Sequence, residues 1–442
     1  MDKHSQQHDT QTKIDKPQLS ARRAELLSRL SARLPQMLDD LRRYVLIDTG
    51  PGTAADAGLR TLRDLIGARL AALGAEMRLV PGAHKPAWLA VPDPNGHADT
   101  VIEPPSTLIA RAHRHDGPAV LLAGHLDTIH PCGGAFRGLE ASADGRFVRG
   151  PGAVDMKGGL VLVVHALEVL AELGIACNWT VLLNSDEETG SFASADALRD
   201  EAARTDAHGQ RVYCAGLAVE PAIGGPASQD GTMSGLWKLA SARGGSGQCM
   251  IEVTGKRAHV GRDPASGISA VAELCRRLLA AQALTDIAQG DVVNFSTLWC
   301  PDAPNVVPGQ AMAWANTRFT GPDRGSALAA KLAALQTEGD ALPRVRVQQT
   351  LSRPAKPATA TSDALAQQYV QIAAAYGHQV ATTMTGGVCD GNNLQAAGLA
   401  TIDSLGVCGG GLHTTTEWVD VQSMSMRAAC LAEMIAALAA ER

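Results

Sequence analysis

The sequence has no Cys-x-x-Cys pair. Its nine cysteines stand singly along 442 residues, and an odd count argues against a complete disulfide framework. A reducing compartment, the cytoplasm, is the simpler expectation. An apolar h-region is missing as well. The chain up to Ser20 is polar, which does not read as a secretory signal and is expected to be a disordered tail. Strong charge of either sign is absent: a net charge of -6 gives no reason to expect nucleic acid or an anionic membrane as partner. There is no internal repeat and no long low-complexity segment. The most apolar stretch, 158–173, is interrupted by His165, Glu168 and Glu172. It is short for a membrane span and reads as a buried helix.

Hydrophobic residues nevertheless make up 45% of the chain, ample for globular packing. The length exceeds one ordinary core, so two domains are expected. Residues 21–46 read as helix interrupted at Pro35, and 57–73 as a second helix stopped by Gly74. Apolar runs bounded by turn residues read as buried strands at 119–123, 178–184 and 216–219. A helix over 156–173 lies between the first two. This alternation implies an α/β domain, a mostly parallel sheet with helices on both faces.

The pattern changes at Gly244-Gly245-Ser246-Gly247, which reads as a flexible stretch. Beyond it come strand 248–254, helix 264–283, strands 291–299 and 310–319, helix 322–335 and strand 344–351. That βαββαβ order predicts a small ferredoxin-like α+β domain inserted into the first. Helices near 362–376 and 421–438 then complete the first domain. The expected boundaries are 21–243, 244–352 and 353–442.

Ligands of open α/β sheets gather beyond the carboxyl ends of strands. Three such places carry good metal donors, His125, Glu188 and Glu220, and two further donors stand at the start of the apolar helix, Asp155, and in a glycine-rich loop, His413. Each has a plainer reading on its own. A lone His125-Leu126-Asp127 is common by chance. Asp155 would suit a helix N-cap. Asp186-Glu187-Glu188 could be a solvated charge run. Glu220 could be a wet strand end, and His413, in a glycine-rich loop, a surface histidine. His165 reads as a satisfied core residue and Cys389 as a buried inert thiol.

The combination weighs more. The first four donors in chain order are 30, 33 and 32 residues apart, about one βα unit each. Two imidazoles and three carboxylates suit a pair of zinc ions sharing one carboxylate. Glu187 is left over as a carboxylate that is no ligand, which is what hydrolysis by a metal-activated water requires of its base.

The ordered motifs resemble the di-zinc aminoacylase and carboxypeptidase G family, which includes acetylornithine deacetylase and succinyl-diaminopimelate desuccinylase. The resemblance runs from about Leu26 onward. It implies two Zn2+ per subunit, with Co2+ or Mn2+ as possible substitutes. Asp155 would bridge them, His125 and Glu220 would complete one site, and Glu188 and His413 the other. It makes Glu187 the general base and Asp127 the support of His125. Glutamate at position 220, rather than aspartate, is more like the carboxypeptidase branch.

Gly255-Lys256-Arg257-Ala258-His259-Val260-Gly261 resembles the family's lid segment. There the histidine reaches across a homodimer to steady the reaction oxyanion. Asn305 and Arg318 resemble lid residues that hold a substrate carboxylate, and Gly386 and Gly387 belong to a segment resembling a substrate loop. Cys389 departs from the serine expected in that loop, which leaves the pocket's detailed shape open. The implied activity is hydrolysis of an amide in a small peptide or N-acyl amino acid with a free carboxylate, as in glutamate carboxypeptidases. N-acyl-amino-acid deacylase and dipeptidase are alternatives within the same metal chemistry. A zinc- or peptide-binding module that has lost catalysis is the alternative outside it.

Overall fold

Residues 119–125 alternate two sets of side chains. Val120 and Leu122 belong to one buried apolar cluster, while Ala119, Leu121 and Ala123 belong to another. A strand apolar on both faces belongs in the interior of a sheet covered on both sides. In the computed structural model, which describes residues 16–52, 55–92, 103–224 and 236–440, Ala119–His125 lies inside a six-stranded sheet. The order is Glu76–Val80, Thr107–Ala112, Asn178–Asn184, Ala119–His125, Tyr213–Ala218 and Thr401–Ile402. The first two junctions are antiparallel and the other three parallel.

Helices Lys16–Ala32, Leu34–Val45, Gly158–Glu172 and Val421–Ala440 pack together beside the larger cluster. Ala195–Ala202 and Asp390–Ala396 contribute Leu198 and Leu394 to the smaller one. The fold is α/β, as expected. Val421–Ala440 is long and apolar enough to cross a membrane, but it is mostly buried inside the fold.

Register places the site. His125 pairs with Asn184, and Ala123 pairs with Ala218. The carboxyl ends of three parallel strands are therefore level, so the segments leaving them emerge side by side.

Residues 245–353 form a second unit with its own apolar cluster. Its antiparallel sheet runs Val292–Trp299, Gln310–Phe319, Gly245–Thr254, Arg344–Arg353. Helices Ala270–Gln282 and Pro322–Ala333 complete the βαββαβ order. Ala311, Ala313 and Ala315 lie in that cluster, because short side chains let helices approach the sheet closely. On the opposite face, Trp314 donates its indole N–H to the Trp88 carbonyl at 2.7 Å.

Several expectations need correcting. The polar tail ends earlier than read: Lys16 to Ser20 are already helical, and residues 1–15 lie outside the described residues. Gly245 and Gly247 are strand residues rather than a flexible link. A Cβ on Gly245 would stand 2.1 Å from the Phe319 ring, so glycine serves close packing there. The long helix begins at Gly158, and Asp155 has φ -120 and ψ 92 in an irregular turn before it, making no side-chain cap. His125 ends its strand instead of following it. The helix expected over 264–283 starts at Ala270, capped by the Ser269 side chain.

Alanine in a helix interior usually stabilises relative to glycine, by about 1 kcal/mol. At Gly159 the sign should invert, because an added Cβ would lie 2.1 Å from the Val219 carbonyl oxygen. We expect Gly159→Ala to cost about 1–3 kcal/mol and to lower the melting temperature by several degrees. A melting temperature at or above that of the unaltered protein contradicts this contact.

Candidate functional site

Asp155 sits where the donors meet. His125 Nε2 lies 3.2 Å from Asp155 Oδ1. His413 Nε2 lies 3.5 Å from Asp155 Oδ2 and 3.3 Å from Glu188 Oε2. Two donor groups result, His125 with Asp155 and Glu220, and Asp155 with Glu188 and His413. Within each, the donor atoms lie within 4.8 Å of one another. They share Asp155, whose two oxygens face different histidines. Imidazole and carboxylate donors suit zinc, and also cobalt or manganese, so the residues present fit a pair of divalent cations.

Asp127 organises the loop around this pair. Its Oδ1 and Oδ2 accept the Glu187 and Glu188 backbone N–H groups at 3.2 and 2.9 Å. Its backbone oxygen lies 3.0 Å from His125 Nδ1. A proton on Nδ1 leaves Nε2 free to face Asp155, which is how a ligating histidine is usually fixed.

Charge dominates the site. Burial alone would raise the Asp155 pKa, but His125 and His413 hydrogen-bond to its carboxylate and hold it below the usual range. Burial pushes Glu220 well up, further helped by the nearby Glu187 and Asp155 carboxylates. Glu188 is raised chiefly by burial. His413 is raised to about 10 by hydrogen bonds to Asp155 and Glu188. For His125, burial opposes protonation, yet its bonds to Asp127 and Asp155 outweigh that and raise it. The raised groups, unlike Asp155, favour the protonated form, and a metal competes with those protons.

Glu187 is outside both donor groups but lines the same cavity as Asp155, Glu188, Glu220 and His413. Burial raises its pKa to about 7, against the pull of Arg353. Arg353, 2% exposed, donates through one nitrogen to Glu187 Oε1 at 2.6 Å, to the Glu187 carbonyl at 2.9 Å and to Ser191 Oγ at 2.8 Å.

The cavity measures about 470 Å³. Gly387, Val388, Ile223, Leu412 and Trp418 contribute to its walls, and Gly386 does not. Cys389 is buried, and burial raises its thiol pKa well above the ordinary value. Arg318 is half-buried, with its Nε on Asn316 Oδ1 at 2.9 Å. Its pKa is lowered by burial and by the charge of Arg353. His259 and Asn305 are exposed and line no part of this cavity.

Three supporting groups escaped the sequence reading. Arg353 falls at an expected domain boundary and carries no local signal of its role. Glu417 was not singled out, although a charge beside a tight histidine loop is a usable signal. The third is an ion cluster in which Asp403 Oδ1 accepts from Arg243 at 2.7 Å and Asp403 Oδ2 lies 3.1 Å from Lys356 Nζ. Arg243 also donates to the Gly387 carbonyl at 3.0 Å, fixing one cavity wall. Nothing local in sequence links these residues.

Comparison with known proteins bears on the family of the chain. The family described as Peptidase family M20/M25/M40 matches residues 121–437. Carboxypeptidase G2 of Pseudomonas sp. (strain RS-16) is 28% identical over 418 residues, 92% of this chain and 90% of the relative. Succinyl-diaminopimelate desuccinylase of Methylorubrum populi is 30% identical over 325 residues, 70% of this chain and 79% of that one. Among solved structures, the Bacillus subtilis YXEP protein, described as a dinuclear metal binding peptidase, superposes with a TM-score of 0.59. It is 12% identical and covers 92% of this chain and 99% of its own.

Removing one member of a buried ion pair leaves the other uncompensated. Arg353→Met should therefore destabilise the metal-free protein by about 3 kcal/mol, read from denaturant unfolding. A loss below about 1 kcal/mol, the range of exposed pairs, contradicts the burial of this contact.

Proposed function

The chain belongs to peptidase family M20/M25/M40, metallopeptidases that hydrolyse amide bonds, and on that premise we propose a glutamate carboxypeptidase-like activity: cleavage of an amide whose amine side is an amino acid with a free carboxylate. The observation carrying this reading is Glu187, a buried carboxylate beside two donor groups and part of neither. Two Zn2+ ions, held by His125, Asp155 and Glu220 and by Asp155, Glu188 and His413, would supply a Lewis acid and an acidified water when bound.

Glu187 takes the proton of the attacking water and passes it to the leaving nitrogen. Burial raises its pKa above the ordinary carboxylate value in the metal-free protein, the direction that favours a proton acceptor able to give the proton back. Asp127 holds His125 and the Glu187–Glu188 backbone. Arg318 grips the substrate carboxylate with two parallel hydrogen bonds, and Asn305 assists. His259 steadies the oxyanion. Its exposure in a single chain fits a homodimer in which residues 244–352 act as lid and subunit contact, each subunit supplying His259 to the other. The segment with Gly386 and Gly387 borders the substrate. None of the nine cysteines, all of them among the described residues, forms a disulfide, and a reducing cytoplasm suits them.

Deacylase and dipeptidase activities use the same metal site. The carboxypeptidase reading draws its support from the 92% coverage by carboxypeptidase G2 and from Arg318. A panel of N-acyl amino acids, dipeptides and aroyl-glutamates, assayed with zinc or cobalt, separates the three. Failure to cut any of them with two metals bound would favour a silent binding module.

Glu187→Gln should lower kcat by at least about 10²-fold while metal content stays at two per subunit. Turnover near the unaltered rate rejects the base assignment. Arg318→Ala should impair free-acid substrates far more than their amidated counterparts, and equal loss on both contradicts its role.

A further inference from the structure

The carboxylate of Glu417 is 1% exposed, yet it touches no residue of either donor group through a side chain. It gathers four donors instead. Oε1 accepts the Val154 and Asp155 backbone N–H groups at 2.7 and 3.0 Å. Oε2 accepts the Gly152 N–H at 3.1 Å and pairs with His130 Nε2 at 2.7 Å.

These contacts join three segments. The first is the irregular turn that presents Asp155. The second follows His125 and Asp127 in the chain and ends in His130. The third is the hairpin between Gly409–Gly410 and Trp418–Asp420, which carries His413 at φ +61. Glu417 stands at the foot of that hairpin. Its own N–H donates to the Thr414 carbonyl at 3.3 Å, and its carbonyl accepts from Gly150 at 3.3 Å.

A turn with φ -120 and ψ 92 at Asp155 cannot satisfy its own amides helically. The Glu417 carboxylate beneath it does so, from behind the donors. Hydrogen bonds to a charged acceptor are roughly twice as strong as neutral ones, and groups behind the ligands of a metal site typically change its affinity 10- to 100-fold.

We propose that Glu417 is the positioning residue of the metal pair, locking the Asp155 turn to the His413 hairpin, with His130 as its partner. This rests on the reading of the five donors as metal ligands. Neither residue is a ligand or touches substrate.

The test uses the full chain, stripped of metal and titrated with Zn2+ against a chromophoric chelator, with metal-free melting measured in parallel. The unaltered protein should bind two ions. Glu417→Gln keeps the shape but loses the charge and one acceptor. It should melt, metal-free, within a few degrees of the parent, while at least one zinc binds about 10-fold or more weakly. His130→Ala removes one donor of four and leaves the three backbone donors in place. It should weaken the same zinc by a smaller factor, even where Glu417→Gln folds poorly.

A parent that does not bind two zincs overturns the ligand reading itself. A parent that binds two, with variants that bind both as tightly, overturns the role of Glu417 alone. Variants that lose metal-free stability at unchanged zinc affinity also overturn it, by making Glu417 purely structural.

Discussion

Like charges held close together in a buried space are the constraint on which the structure turns. Asp155, Glu187, Glu188 and Glu220 line one cavity, and Asp127 lies just behind them. Carboxylates placed so near one another resist ionising together. The raised pKa values of Glu187, Glu188 and Glu220 express that resistance, with burial as their first cause. Two imidazoles beside Asp155 offset only part of it. A pair of divalent cations would supply the missing charge, since bound metals are the largest local charges in such a site.

The sheet makes this crowding possible. Three parallel strands end level, and each releases its acidic or imidazole group at or just beyond its last residue. The interior of the sheet gives the rigid register, while tight backbone contacts such as Gly159 against Val219 hold the helix behind it in place. Around the donors stand groups that hold the site in place. Asp127 fixes one histidine, Arg353 fixes the spare carboxylate, and Asp403 ties Arg243 and Lys356 to a cavity wall. Buried ionic contacts thus serve geometry at one place.

Much of this was legible before any coordinates. The strand at Asn178–Asn184 and the βαββαβ order after residue 244 follow from apolar runs bounded by turn residues, a local signal. The donors were legible because four of them recur at the spacing of a βα unit. Other features had no such signal. The sheet of Gly409–Gly410, Trp418–Asp420, Phe147–Arg149 and Glu140–Ala141 uses strands of two or three residues, too short to show a period. The pairing of Trp237–Arg243 with Val380–Thr385 joins segments far apart in the chain. Arg353 and Glu417 are defined by what they touch, and their partners lie 166 and up to 287 residues away. The helix start at Asp155 was misplaced for a related reason: an aspartate before an apolar helix looks the same whether it caps that helix or faces across a cleft.

In the proposed site Asp155 would bridge two cations while Glu187 would bind neither. Anomalous diffraction at the zinc edge, from crystals of the zinc-loaded protein, tests it most directly. Two peaks are expected about 3.5–4 Å apart, one on each side of the Asp155 carboxylate, with Glu187 beyond ligating distance of both. A single peak, or two peaks with Glu187 rather than Asp155 between them, would contradict it.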